Sequence, residues 1–338
     1  MEWAYPLIQG KSHRIQEAAI IGSASGGHLD YLKSLNPKKI PSALQFAAAK
    51  RGHTDILQWV VDSGTSLHQM NDLMAAKSGR LNVLKWLREK GQETSALVFD
   101  YAARKGHLDI LKWGCENGLR FNQDLPQKAA SRGHLEILQW MKSIRFRLSS
   151  KTVANAAASG KMDTLKWVIE NGGEMSELAC AKAVKSGNLA ILKYLREKGC
   201  PWNQETITTA AVHGFLDIMK WAIENGCKGN PTAFCEAAAR GGQLETLKWL
   251  QANGYGWDVS ACTAAVASNN LEILKWLRQN GCPWGKSTAI MAARRAKIEI
   301  VRYIIENGCP MDRERCTYQA LISDRDQIAD LFSEENKT

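Results

Sequence analysis

A glycine, most often inside a GHL-type triplet, returns at Gly27, Gly52, Gly79, Gly106, Gly133, Gly160, Gly187, Gly214 and Gly242, and the register continues through Asn269, Ala296 and Asp324. Successive gaps are 25, 27, 27, 27, 27, 27, 27, 28, 27, 27 and 28 residues, so about twelve copies of one unit fill nearly the whole chain. A period of this length argues against a single central core. Each unit is too small to bury its apolar side chains alone and must do so against its neighbours.

The recurring positions within a unit describe two short helices. Four residues before the anchor glycine lies alanine, as at Ala48, Ala75, Ala102, Ala129, Ala156, Ala183, Ala210, Ala238, Ala265, Ala292 and Ala320. A column of methyl groups lets neighbouring helices approach closely. Two, four and five residues after the anchor come apolar residues, such as Leu108, Ile110 and Leu111, and seven after comes tryptophan or tyrosine. That spacing marks one helical face. Twelve after the anchor a second glycine recurs, from Gly64 to Gly308, often preceded by asparagine. It supplies the left-handed conformation that ends a helix. Helices of about ten residues do not persist alone in water, so stacking has to hold them. The expected fold is all-α: a helical-repeat solenoid of about twelve helix-turn-helix units. At about 8–10 Å between packed helices it would run on the order of 100 Å. The expected boundaries are an N-terminal segment 1–17, one repeat domain 18–332 and a polar tail 333–338.

At these residues the chain resembles the ankyrin repeats. The phrase AARKGHLDILKW, Ala102 to Trp113, is similar to the ankyrin segment in which two alanines close the first helix and GHL opens the second. The usual TPLH start is missing, and the period is about six short of the ankyrin value of roughly 33. The hairpin fingers between repeats are therefore expected to be cut to short loops. Tryptophan in the second helix and the NGCPW ending look like the short ankyrin repeats of protists and giant DNA viruses. The resemblance implies a protein-binding scaffold, with the residues just before the anchor glycine on a concave face. It also implies a structural role for His28, His53, His107 and His134, which follow the anchor and bond backbone near the turn.

Composition, with 45% hydrophobic and 23% charged residues, fits a globular protein. No apolar run approaches the roughly 20 residues of a membrane span. The start, MEWAYPLIQGKSHR, lacks the pattern of a secretory leader. An intracellular protein is expected, cytoplasmic or nuclear, in a host cell if the source is viral. Nine cysteines, an odd number with no CxxC pair, suggest neither a disulfide framework nor a zinc site.

Residues that look chemical fall into the same register. Trp59, Trp86, Trp113, Trp140, Trp167, Trp221, Trp249 and Trp276 share one position, with Tyr194 and Tyr303 substituting, as a buried ladder would. Trp202, Trp257 and Trp284 fall in loops, where partial exposure is expected. Cys200, Cys227, Cys282 and Cys309 follow the helix-ending glycine, and Cys180, Cys235 and Cys262 lie on first helices. One sulfur per unit cannot converge on one metal ion, so these read as packing. Lys85, Lys112, Lys166, Lys193, Lys220, Lys248 and Lys275 have carboxylates three before or four after them and read as a neutralised face. GCPWGKS, Gly281 to Ser287, imitates a phosphate loop but has three residues between its glycines and follows a helix. No catalytic signature is present. The chain is not expected to be an enzyme, and no cofactor, metal or small-molecule substrate is implied.

The formal charge of +10 is unevenly spread. Residues 37–151 hold 19 Lys and Arg against 10 Asp and Glu, while 1–36 and 152–338 nearly balance. Part of the surplus sits just before the anchor glycines, at Lys50, Arg51, Lys77, Arg104, Lys105 and Arg132, the positions the resemblance places on the concave face. A second group lies in loops: Lys38, Lys39, Arg120, Arg145 and Arg147, where the fifth unit reads SIRFRLSSK instead of ending in NGC. This group is expected to extend the patch along one edge. The leading expectation is a monomeric scaffold that binds an acidic protein segment through these residues. The alternative is nucleic-acid backbone binding by the same surface, and a third is self-assembly through the end units. The last unit, DRDQIADLFSEENKT, reads as a polar cap.

Overall fold

The computed structural model describes residues 13–35, 37 and 39–333. Among them are 24 helices and no strand. They fall into two compact units, Met1–Glu174 and Met175–Thr338. The first holds six helix pairs: His13–Gly26 with Leu29–Leu35, Ser42–Arg51 with Thr54–Asp62, Asn71–Lys77 with Leu81–Glu89, Ala96–Lys105 with Leu108–Glu116, Leu125–Ala130 with Leu135–Ser143, and Ser150–Ala158 with Met162–Glu170. The second holds six more: Glu177–Lys185 with Leu189–Glu197, Gln204–His213 with Leu216–Glu224, Pro231–Gly241 with Leu244–Ala252, Val259–Ala267 with Leu271–Gln279, Lys286–Arg295 with Ile298–Glu306, and Arg313–Leu321 with Asp326–Ser333.

Each unit is the stack that the period demands. Within a pair, two to four residues join the helices, which pack antiparallel. First helices pack on the first helices before and after them, and successive second helices touch less. The close row is the alanine column, buried from Ala48 to Ala156 in the first unit and from Ala183 to Ala320 in the second. At the N-terminal end the first helix begins at His13, so residues 13–17 form its opening turn.

The turn between the helices explains the anchor glycine. Its φ is positive, +69° at Gly79 and +88° at Gly106. The residue after the next anchor also closes onto it: a Cβ on Gly79 would lie 2.6 Å from the His107 ring, and one on Gly106 2.8 Å from that of His134. Those side chains reach back to the end of the preceding first helix, where carbonyls lack intrahelical partners. His53 Nε2 lies 3.3 Å from the Ser25 carbonyl, Arg80 Nε donates to that of Lys50 at 3.3 Å, and His134 Nε2 lies 3.1 Å from that of Arg104. In the second unit Gln243 does the same to Val212 at 3.3 Å, and Arg325 to Ala292 at 3.2 Å. The structural role expected for this position therefore holds for His53 and His134, and arginine or glutamine also fills it. At the far end of several second helices, asparagine donates its side-chain N–H to the carbonyl of the aromatic four residues back: Asn117 to Trp113, Asn225 to Trp221 and Asn280 to Trp276, each at 2.8 Å.

Four sequence readings need correction. The tryptophan ladder is half-buried rather than buried, with Trp113, at 7% exposure, its one buried member. Three of the rings meet a loop aromatic edge-on: Trp202 on Trp221 at 5.8 Å, Trp257 on Trp276 at 5.7 Å and Trp284 on Tyr303 at 6.1 Å. The lysine column is not mainly paired with carboxylates. Lys248 meets Glu245 at 2.7 Å, but Lys193, Lys220 and Lys275 lie over the next pair's Trp221, Trp249 and Tyr303, 5.6–5.8 Å from the ring centres. A ring face offers a cation negative charge without the desolvation that a buried carboxylate would need. The two cysteine columns do not keep one sulfur per pair apart, because Cys262 Sγ touches Cys282 Sγ at 3.4 Å. The last pair is only partly a polar cap: Tyr318, Leu321 and Ile322 of its first helix and following turn are 50–60% exposed. Leu321 occupies the column that Ala293 and Val266 hold fully buried in earlier pairs, where another first helix covers it.

Candidate functional site

The short first helices of the Met1–Glu174 unit end in cations. Lys50 and Arg51 form the last turn of Ser42–Arg51, Lys77 ends Asn71–Lys77, Arg104 and Lys105 end Ala96–Lys105, and Arg132 lies in the turn after Leu125–Ala130. Positive charge is favoured there by the helix dipole, which accounts for part of the pattern. Lys50, Lys77 and Arg104 hold the same repeat position in three successive pairs. At the usual spacing of packed helices they recur about every 8–10 Å.

All but Lys77 are exposed, and Lys77 lies with its ammonium 4.5 Å from the centre of the Tyr101 ring. Arg51 Nε donates to Ser25 Oγ at 3.3 Å. Among the described residues none of the six makes an ion pair, unlike Lys128, which meets Asp124 at 2.9 Å, and Arg147, which meets Glu174 at 2.5 Å. The backbone beneath them is fixed, since the carbonyls of Lys50 and Arg104 are the ones taken by Arg80 and His134. Arg80 was not singled out in the sequence, although its place just after the anchor, where histidine stands elsewhere, was the available signal.

The loop group does not join this row. Lys39, Arg120, Arg145 and Arg147 are exposed, but they precede first helices or follow second helices, at the opposite end of each antiparallel pair. Ten residues of helix separate the two ends, about 15 Å. Arg147 is engaged by Glu174, and Lys38 lies outside the described residues.

The first-helix side of the Met175–Thr338 unit differs. Arg240 is paired with Glu236, and Val259–Ala267, built from small residues, leaves a trough of about 580 Å³ edged by Glu236, Arg240, Asp258 and Met291. Asp258 is held below the ordinary carboxylate range by hydrogen bonds from Ser260, which it caps at the helix start. The Ser260 hydroxyl in this trough donates to Asp258 as part of that cap. Among the described residues no cluster of three or more His, Cys, Asp or Glu could hold a metal ion, and no helix is long and apolar enough to cross a membrane.

Comparison with known proteins bears on both units. A family model described as ankyrin repeats (3 copies) matches residues 234–315, and one described as ankyrin repeats (many copies) matches residues 73–113. No curated protein matches the chain. Among solved structures, the pentatricopeptide repeat protein PPR10 in complex with an 18-nt psaJ RNA element is 12% identical with a TM-score of 0.41, over 94% of this chain and 57% of that one. This chain thus spans little more than half of that protein's length. A second structure, of the pentatricopeptide repeat protein PPR10 from maize, is 12% identical over 99% of this chain and 70% of that one, with a TM-score of 0.34. The human ASB11 ankyrin repeat domain is 15% identical over 69% of this chain and 96% of its own, with a TM-score of 0.29. A matched stretch in each unit, set within one register of alanine, glycine and aromatic positions shared by the helix pairs, supports an ankyrin-repeat family for the chain.

Proposed function

We propose that the chain is a non-enzymatic interaction scaffold that binds an acidic protein segment along Lys50, Arg51, Lys77, Arg104, Lys105 and Arg132. The observation that carries this reading is the set of six cations without a carboxylate partner on backbone pinned by the following pair. Solubility is served by charges anywhere on a surface, whereas these recur at two adjacent repeat positions, one and two residues before the anchor glycine. Charge complementarity would speed encounter, and Tyr101 beside Lys77 offers an apolar contact. Lys39, Arg120 and Arg145, at the other end of the pairs, belong to a separate contact or to none.

A nucleic acid would use the same cations, but single strands also need open ring faces. Most of the tryptophans on the second helices are half-buried, and Trp86, Tyr194, Trp221, Trp249 and Tyr303 there are each covered by a lysine. The test is recovery of partners from native cells with the intact chain and with Lys50→Glu, Arg51→Glu, Arg104→Glu, Lys105→Glu and Arg132→Glu combined. The expected result is loss of an acidic protein partner with helicity unchanged by circular dichroism. Undiminished recovery would remove the site. Binding of random RNA or duplex DNA that falls steeply with salt would replace the protein partner with a nucleic acid.

A further inference from the structure

The segment LKYLREKGCPW at Leu192–Trp202 recurs as LKWLRQNGCPW at Leu274–Trp284. In both copies the loop cysteine meets a cysteine on the first helix of its own pair, Cys200 with Cys180 and Cys282 with Cys262. All four side chains are fully buried. The Cys262 thiol points at Cys282 Sγ, 3.4 Å away, and Cys282 Sγ lies 3.4 Å from the Asp258 carbonyl, as Cys200 Sγ does from that of Ser176.

A cation completes each site. Arg278 donates to the Cys282 carbonyl and stacks 4.3 Å from the centre of the Trp284 ring, and Arg196 does the same to Cys200 and Trp202, at 4.2 Å. The hydrogen bond from the first-helix thiol, aided by the guanidinium, draws the Cys200 and Cys282 thiols below their ordinary value, and the same bonds push Cys180 and Cys262 up. Cys227 and Cys309 provide the contrast. They hold the same loop position, but Ile207 and Ala289 stand where the first-helix cysteine would be, and burial pushes both thiols up to about 11.

We propose that Cys180–Cys200 and Cys262–Cys282 are two reversible disulfide-forming sites oxidised by a hydroperoxide. The Cys282 thiolate attacks one oxygen of the peroxide; the O–O bond breaks and hydroxide leaves, taking the proton of the Cys262 thiol as water. The Cys262 thiolate then attacks the sulfur of the resulting sulfenic acid, the S–O bond breaks, and a second hydroxide departs as the S–S bond forms. Two electrons pass from the sulfur pair to the peroxide, and a low-molecular-weight thiol reverses the reaction by exchange. Peroxide is small enough to reach a sulfur beneath the exposed Gly281 and Pro283. Reactivity follows thiolate character, which separates these pairs from Cys227 and Cys309.

The test is titration of the purified chain with hydrogen peroxide, followed by alkylation in denaturant and peptide mapping. The nine alkylatable thiols should fall to five, with linked peptides joining 180 to 200 and 262 to 282, and dithiothreitol should restore all nine. Cys282→Ser should abolish the second link alone, and Cys309→Ser should abolish neither. Oxidation confined to the exposed Cys115, or links between other cysteines, would overturn the assignment. Mapping of the unsubstituted chain decides this even if a serine variant fails to fold.

Discussion

Arg145 stands where glycine ends the neighbouring second helices at Gly118 and Gly172, and it adopts their left-handed backbone, with φ of +67°. For a residue with a Cβ that conformation costs on the order of 1–2 kcal/mol. Its side chain is exposed, so little is recovered by packing. Arg145→Gly is expected to stabilise the chain by about 1 kcal/mol, less the extra freedom glycine gains when unfolded. Urea unfolding reads this directly, and an unchanged or lower midpoint would show that the arginine is held by its surroundings. Asp72 raises a different residue-scale question. It is 4% exposed on a first helix, accepts N–H groups of Leu73 at 2.6 Å and Ser95 at 3.2 Å, and burial pushes its carboxyl above the ordinary range despite those bonds. The folded form thus holds this proton more tightly than the unfolded form. Its contribution to stability is greatest below the ordinary carboxylate value and falls as pH rises through the folded value. Asp72→Asn should therefore gain stability relative to the parent between acid and neutral pH, as measured by urea unfolding at both. A difference that is flat, or of opposite slope, would refute the burial argument.

The helices were legible in the sequence because each of their determinants repeats. Alanine, glycine and the Leu108, Ile110, Leu111 spacing each recur at one position, and a pattern seen twelve times is not mistaken for chance. The contacts between pairs were less legible, because they join residues about 20–30 positions apart whose register depends on how the pairs tilt. The cation over the next aromatic is one such contact: Glu272 and Glu224 are local to the lysines in sequence, whereas Tyr303 and Trp249 are local only in space. The contact of Cys262 with Cys282 lies within one pair, but it was hidden too, because it joins two different repeat columns 20 residues apart. The basic residues were found individually, yet their division between two ends of the helix pairs became visible only with the antiparallel packing. The loop aromatics are where this inter-pair layer can be measured. Trp202 is stacked by Arg196 and meets the edge of Trp221, so it joins one pair to the next. Being half-buried, it should cost roughly 2 kcal/mol as Trp202→Ala, below the 3–5 kcal/mol of a full core aromatic. Chemical denaturation gives the value, and a loss under 0.5 kcal/mol on the scale of ordinary surface changes would mean that the ring is surface decoration.

At the scale of the molecule, the absence of a shared core within each unit decides how damage spreads. A pair contacts the pair before and the pair after, so its stability is its own plus two interfaces. Ala210 sits fully packed in the second unit, where Gln204–His213 meets the first helices Glu177–Lys185 and Pro231–Gly241. Leucine there would overpack a methyl-sized space and cost about 1–3 kcal/mol. Opening should then become easier at that pair and its two neighbours and stay nearly unchanged at Lys286–Arg295, three pairs further on. Amide exchange followed by mass spectrometry resolves these helices separately. Faster exchange limited to residues 177–252 is the expected pattern, and equal acceleration across the whole Met175–Thr338 unit would mean that it opens as one cooperative body. The same locality bears on recognition. The cations of the first unit lie on other pairs, so Ala210→Leu should leave capture of an acidic partner intact, whereas reversing Arg104 and Lys105 should abolish it without altering exchange beyond adjacent pairs.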